Sequence, residues 1–194
     1  MSYKAYKFRI YPNKEQQIFL NKQLGASRTF YNIMLAHRKE LVEKYYNKET
    51  KTWTDLDKKK ENSKYGTDKW FRAWSKENIL WIKEIDSLIS QYVSADLDNA
   101  FQGFFEGKGY PKFKSKKTHS DSIKMVNCTH FDFDNWKVKL PKLGWVKMCK
   151  NKPFNKEYRH GTVTVSIDPC GTIWCSVVVD NGNPKPLKTK MVEE

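Results

Sequence analysis

The sequence has no long apolar run. No stretch approaches the roughly 20 residues that a membrane-spanning helix needs, and the opening Met1-Ser-Tyr-Lys-Ala-Tyr-Lys7 lacks the apolar segment of a secretory signal. A cytosolic protein is expected. The four cysteines (Cys128, Cys149, Cys170, Cys175) include no Cys-x-x-Cys pair, and the four histidines are scattered. That argues against a structural zinc site, whose ligands are more tightly spaced. No metal is expected, and the cysteines are read as reduced thiols. Acid is also scarce: 22 Asp and Glu stand against 36 Lys and Arg, a formal charge of +14. Such a surface draws polyanions, nucleic acid before an anionic membrane. The cations lie on loops and strands rather than along one amphipathic helix, which disfavours a membrane-active protein.

The lack of acid is sharpest in Gly107-Lys-Gly-Tyr-Pro-Lys-Phe-Lys-Ser-Lys-Lys117. It holds five lysines and no acid, whereas the 106 residues before it hold 19 Lys and Arg against 14 Asp and Glu. Lys108, Lys112, Lys114, Lys116 and Lys117 interleave with Tyr110 and Phe113. The mixture suits phosphate contacts beside stacking faces; it also suits a solvated basic linker. The stretch divides the chain by pattern, with helical periodicity before it and alternation after it.

Taken in order, Tyr3–Tyr11 alternates, with Tyr6, Phe8 and Ile10 on one face and Lys7 and Arg9 on the other. Asn13 reads as an N-cap with Gln16 as its capping-box partner. A helix over about 14–24 is expected to break at Gly25, followed by a second helix over about 26–46. That outline fits a DNA-binding helix-turn-helix, and more commonly an αα-hairpin whose Phe30, Tyr31 and Met34 are core. Arg28 and Arg38 are available on the outer face for phosphate. A capping box at Thr54–Asp57 opens a short helix to about Asn62, and residues 69–74 form another. Asp86 caps a stronger helix over about 87–106, with Gln91 off its apolar stripe. Gln can read adenine edges, though on a helix it usually faces water. After the basic stretch come short strands at 122–127, 131–133, 137–140 and 144–149, then a hairpin, 158–167 and 172–179, across Asp168-Pro-Cys-Gly171. The expected fold class is α+β: a small, OB-like β-barrel split by a helical, helix-turn-helix-like insertion, with the first strand joining the later sheet.

Four ordered blocks then carry a resemblance. Lys4-Ala-Tyr-Lys-Phe-Arg-Ile-Tyr-Pro-Asn13, Leu24-Gly-Ala-Ser-Arg-Thr-Phe-Tyr-Asn32, Gly109-Tyr-Pro-Lys-Phe-Lys-Ser-Lys116 and Leu140-Pro-Lys-Leu-Gly-Trp-Val-Lys147 resemble the TnpB (OrfB) proteins of bacterial insertion sequences, and together they span nearly the whole chain. The resemblance implies an RNA-guided DNA endonuclease related to type V CRISPR effectors. It implies a wedge β-barrel (residues 1–12 and 118–182) carrying a recognition insertion (13–106), a basic junction (107–117) and a linker (183–194) toward a nuclease domain. The implied partners are a structured guide RNA, double-stranded target DNA and the RNA–DNA heteroduplex, in a bacterial, nucleoid-associated setting. The implied readers of the target-adjacent motif are Ser87, Leu88 and Gln91, with Asn127 and Cys128. Some members have Lys and Phe where this chain has Ser87 and Leu88. Lys4, Lys7, Arg9, Arg28, Arg38 and the five block lysines would contact backbone phosphates, and Tyr110 and Phe113 would stack.

The family's acidic RNase H-like domain and its zinc finger would follow where this chain stops. Mg and Zn would belong there, and this chain alone is expected to have no catalytic residues and no cofactor. Val165-Ser-Ile-Asp168 imitates the first acidic strand of such a nuclease, but the 26 residues after Asp168 are too few for the rest of that fold. The alternative function is a stand-alone helix-turn-helix DNA-binding protein or repressor from the same ancestry.

Overall fold

The computed structural model describes residues 3–47, 49–116, 121–125, 130–151, 153–155 and 158–180. The chain forms two compact units. Residues 1–16 and 124–194 make one, and residues 17–123 make the other. Fourteen elements are described: β1 (Tyr3–Tyr11), α1 (Lys14–Tyr45), β2 (Tyr46–Asn47), β3 (Thr52–Trp53), α2 (Leu56–Glu61), α3 (Lys64–Asn78), a 3-10 turn (Ile82–Glu84), α4 (Leu88–Phe105), β4 (Asp121–Met125), β5 (His130–Asp132), β6 (Lys137–Leu140), β7 (Gly144–Met148), β8 (Arg159–Ile167) and β9 (Ile173–Asp180). The architecture is mixed α and β.

The β unit is built on alternation. One seven-stranded sheet has the order β4-β8-β9-β1-β7-β6-β5. β1 lies inside it, as its sequence predicts, pairing antiparallel with β9 (Phe8 opposite Cys175) and with β7 (Ile10 opposite Met148). Phe8, Ile10, Val138, Leu140, Val146, Met148, Val163, Val165, Cys175 and Val177 are buried on one side, while their sequence neighbours point the other way. Among the described pairings the sheet runs from β4 to β5 without closing on itself. The β8–β9 hairpin turns as read, with Gly171 N–H donating to the Asp168 carbonyl at 2.9 Å.

The helical unit departs from its expected outline. α1 runs unbroken through Gly25 for 32 residues. Its buried positions, Leu20, Leu24, Tyr31, Met34, Leu35 and Leu41, keep helical phase across the glycine. A glycine costs a helix interior only about 1 kcal/mol relative to alanine, less than the burial of that stripe returns. The expected pair of helices is one helix, and no turn separates a recognition helix from a supporting one. α3 is also longer than the six residues expected, because Ser63 caps it from outside that window by accepting from Gly66 N–H. The N-cap residue of α4 is Ser87 rather than Asp86, although the Asp86 side chain still accepts from Leu88 N–H at 3.0 Å.

The capping box at Asn13 forms reciprocally. Gln16 N–H donates to Asn13 Oδ1 at 2.8 Å, and Asn13 N–H donates to Gln16 Oε1 at 3.0 Å.

Candidate nucleic-acid interface

Three surfaces carry the residues singled out above. The first is the lysine block. α4 ends in a Schellman motif: Lys108 N–H donates to the Gly103 carbonyl at 2.9 Å and Gly107 N–H to that of Phe104 at 3.0 Å. The motif needs a left-handed residue, and Gly107 supplies it at φ +89°. Asn32 of α1 then clamps the irregular segment that follows. Its side chain donates to the Lys114 carbonyl at 2.9 Å and accepts from Lys114 N–H at 2.8 Å. Backbone held at both groups fixes the exit direction of neighbouring side chains. Lys112 and Lys116 are exposed. Lys108 is exposed and pairs with Glu106 at 2.8 Å. Lys114 is half-buried, its ammonium 4.2 Å from the centre of the Tyr31 ring.

The two expected stacking rings differ. Phe113 is 53% exposed, with the Lys39 ammonium 5.0 Å from its centroid. Tyr110 packs edge-on against Phe101 and Phe104 at 5.6 and 5.1 Å. Burial pushes its phenol pKa up. Tyr110 therefore closes the end of α4 and offers only part of its ring.

Arg38 is corrected by its position. It is 4% exposed and lies inside the helical unit. Its guanidinium donates to Asn62 Oδ1 at 3.0 Å, to the Asn62 carbonyl, and from two nitrogens to Asp98 Oδ1 at 3.2 Å. It also lies 4.3 Å from the centroid of Phe101. Burial lowers its pKa, and Asp98 opposes that shift. Four of its five N–H donors are engaged inside the unit, and its burial keeps it from serving as a surface phosphate contact. Arg28, which is half-buried, forms an ion pair with Asp121.

The second surface is the start of α4. Ser87 and Gln91 are exposed and Leu88 is half-buried. The Ser87 carbonyl accepts from Arg72 at 3.1 Å. Ser87 also borders a groove of about 620 Å³ that Arg72, Lys76 and Lys83 line with cations over a Phe30–Phe71 floor. Asn127, Cys128 and Lys117 lie outside the described residues.

The third surface is the outward side of the sheet. Lys7 and Arg9 are exposed there on β1, with the Lys7 ammonium 4.5 Å from the Trp174 ring centre and Arg9 5.3 Å from that of Tyr11, whereas Lys4, also exposed, alternates onto the other side, its ammonium 5.4 Å from the Tyr6 ring centre. Sequence reasoning missed the neighbours. Arg9 stands opposite Trp174, Tyr11 opposite Lys147, and Lys139 opposite Trp145. The available signal was the same period-two alternation that located the core, read for its outward positions.

Asp168, the apparent nuclease acid, is used by its own turn. It accepts from Trp174 Nε1 at 3.1 Å and from Thr172 N–H at 2.8 Å. These bonds, the indole first, hold its pKa below the ordinary carboxylate value. Among the described residues no group of three His, Cys, Asp or Glu could hold a metal ion, and no helix is long and apolar enough to cross a membrane.

Comparison with known proteins bears on these surfaces. Residues 1–48 match a helix-turn-helix domain family of the IS605 OrfB type. A protein of Escherichia coli (strain K12) named "Putative RNA-guided DNA endonuclease InsQ" is 25% identical over 189 residues, covering 94% of this chain and 42% of that relative. A protein of Streptomyces pristinaespiralis named "Putative RNA-guided DNA endonuclease" is 27% identical over 193 residues, 97% of this chain and 44% of its own length. The chain spans less than half the length of these curated relatives. It carries an OrfB-type segment at its N-terminus and is homologous over most of its length to proteins named as RNA-guided DNA endonucleases.

Proposed function

We propose that this chain is the nucleic-acid-binding part of a TnpB-like, RNA-guided DNA endonuclease. The observation that carries the reading is similarity along 94–97% of the chain to relatives so named, and the +14 charge agrees with it. The β unit takes the role of a wedge barrel and the helical unit that of a recognition insertion. Together they hold a guide RNA scaffold, a target-adjacent DNA motif and the RNA–DNA heteroduplex. Ser87, Leu88 and Gln91 face the motif together with Asn127 and Cys128, while Lys4, Lys7, Arg9 and the block lysines contact backbone phosphates. This chain alone cleaves nothing and needs no cofactor; Mg and Zn serve the nuclease part of the longer relatives. Its setting is the bacterial cytoplasm, on the nucleoid.

Sequencing the RNA that copurifies with the protein tests this. Enrichment of one structured transcript is expected; random cellular RNA overturns the guide reading. Binding also weakens with salt at a log–log slope of about 0.7–0.9 per phosphate neutralised. Replacing Lys112 and Lys116 with Ala lowers both affinity and slope. Robust magnesium-dependent cleavage lost in Asp168→Asn overturns the non-catalytic assignment.

The second reading, a stand-alone helix-turn-helix repressor, is favoured by the match at residues 1–48. The unbroken α1 leaves that segment without a separate recognition helix. Tight binding to one defined duplex without RNA would restore it.

A further inference from the structure

We propose that the outward side of the sheet is a stacking platform for single-stranded nucleic acid, built on Trp174, Tyr11 and Trp145. The proposal rests on the nucleic-acid-binding reading and assigns it a surface separate from the lysine block.

The register places the three rings. Trp174 lies level with Arg9 on β1, and Tyr11 follows two residues on, on the same side. Tyr11 is level with Lys147, and Trp145 lies two residues along β7 from there, again on the same side. The rings therefore climb diagonally across β9, β1 and β7. Such diagonal neighbours stand roughly 7–8 Å apart. A single strand with its bases splayed can follow that spacing, but a duplex, whose bases stack on each other, cannot.

Tyr11 and Trp145 are each 48% exposed. Exposed rings that neighbour one another, rather than lying scattered singly, mark a binding surface. The charge between the rings says what binds there. Lys7 and Arg9 flank Trp174 and Tyr11, while Lys147 and Lys139 stand beside Tyr11 and Trp145. Three acids share this side: Asp168, bonded to Trp174 Nε1; Asp180 at the far end, opposite Tyr3; and Asp132 on the edge strand β5, opposite Lys137. Alternating rings and cations match alternating bases and phosphates.

The platform is also preorganised. Gln16 Nε2 donates to the Leu143 carbonyl at 3.0 Å and the Trp145 carbonyl at 3.2 Å, tying the β6–β7 turn to the start of α1. Gly144 makes that turn at φ +71°. Trp174 is steadied by its bond to Asp168. Bases thus meet rings whose backbone is already fixed, which lowers the ordering cost of binding.

The test is fluorescence anisotropy with labelled 12-mer oligo(U), 12-mer oligo(dU) and a 20-base-pair duplex, on the whole chain. The double variant Tyr11→Ala, Trp145→Ala is expected to lose roughly ten-fold or more in affinity for single strands and to leave duplex affinity within about two-fold. Trp145→Phe keeps a ring and recovers most of the loss. Whichever oligonucleotide binds tighter to the wild type identifies the sugar the platform prefers. Equal losses on duplex and single strand, or no loss on either, overturn the platform. Should the wild type bind none of the three probes, the broader nucleic-acid reading falls with it. Wild-type binding that Lys112→Ala, Lys116→Ala weakens but the ring variants leave intact removes the platform alone. A far-UV spectrum matching the wild type confirms that each variant folds.

Discussion

The two units have interiors of different kinds. Of the buried polar or charged residues described, Gln23, Arg38, Thr67, Ser75, Ser90 and Ser94 lie on helices, and Asp121 alone lies in the sheet, at the first position of its edge strand β4. The other described strands bury only apolar side chains. The difference follows from how each satisfies its backbone. Strands pair N–H and C=O with neighbouring strands, so the interior needs only apolar volume. Helices leave unpaired groups at their ends, and here buried side chains reach them. Gln23 bridges the Glu84 carbonyl at 3.0 Å and Asp86 N–H at 2.9 Å, and Thr67 donates to the Glu61 carbonyl, the last of α2, at 3.0 Å; Ser94 adds a cross-link of another kind, donating to the Lys64 carbonyl in the first turn of α3 at 2.5 Å. Arg38 also ties the end of α2 to α4. The β unit is held by packing, the helical unit by packing plus specific cross-links.

Four measurements sharpen or break that contrast. The largest effect is expected from Phe8→Ala, which empties the middle of the apolar interior and should cost about 4 kcal/mol in urea unfolding. Arg38→Ala should cost about 3 kcal/mol, because it strands Asp98 and Asn62 beside a cavity. Arg38→Met decides what that arginine is for: stability at or above wild type would make the cross-link a device for specificity, while a loss matching Arg38→Ala would make it a source of stability. Gln23→Leu follows at about 2 kcal/mol, since it leaves the Asp86 N–H and the Glu84 carbonyl without their partner.

A pH effect comes next. The His37 ring stacks on Trp70 with centroids 3.5 Å apart and meets Glu61 at 2.7 Å. Burial lowers its pKa below 6.5, and Glu61 only partly opposes this. A histidine with a depressed folded value binds its proton more readily when unfolded. Its contribution is therefore complete above pH 6.5 and is lost as pH falls through that value toward the folded one. His37→Gln should flatten the decline in stability just below pH 6.5. An unchanged pH profile would show that Glu61, not burial, governs the ring.

The same contrast decided what could be read from the residues. β1, the capping box and the β8–β9 hairpin were legible because alternation and turn chemistry are local signals. α3 was under-read because its buried stripe is Thr67, Phe71 and Ser75, two of them polar, so no apolar period marks it. Arg38 resembled a surface cation because its partners lie 24 and 60 residues away. Gly25 was over-read because a helix whose buried face continues on both sides tolerates one glycine. At the interface the block lysines were visible as a run. The sheet rings were not, since Trp145 and Trp174 meet Tyr11 only through pairing with β1. Gln16 was legible as a cap, but its bonds to Leu143 and Trp145 span 127 and 129 residues.

The interior position of β1 has a consequence for the order of events during synthesis. β1 leaves the ribosome before the strands it pairs with, and Phe8 faces Cys175. At about 5–20 residues per second, on the order of ten seconds or more separates the two. Throughout that interval a strand with both edges unpaired waits while the helical unit, whose contacts are nearer in sequence, takes shape. The alternating lysines and arginine of β1 would then serve a second purpose: like charges on successive strands discourage two nascent chains from pairing edge to edge before β7 and β9 arrive.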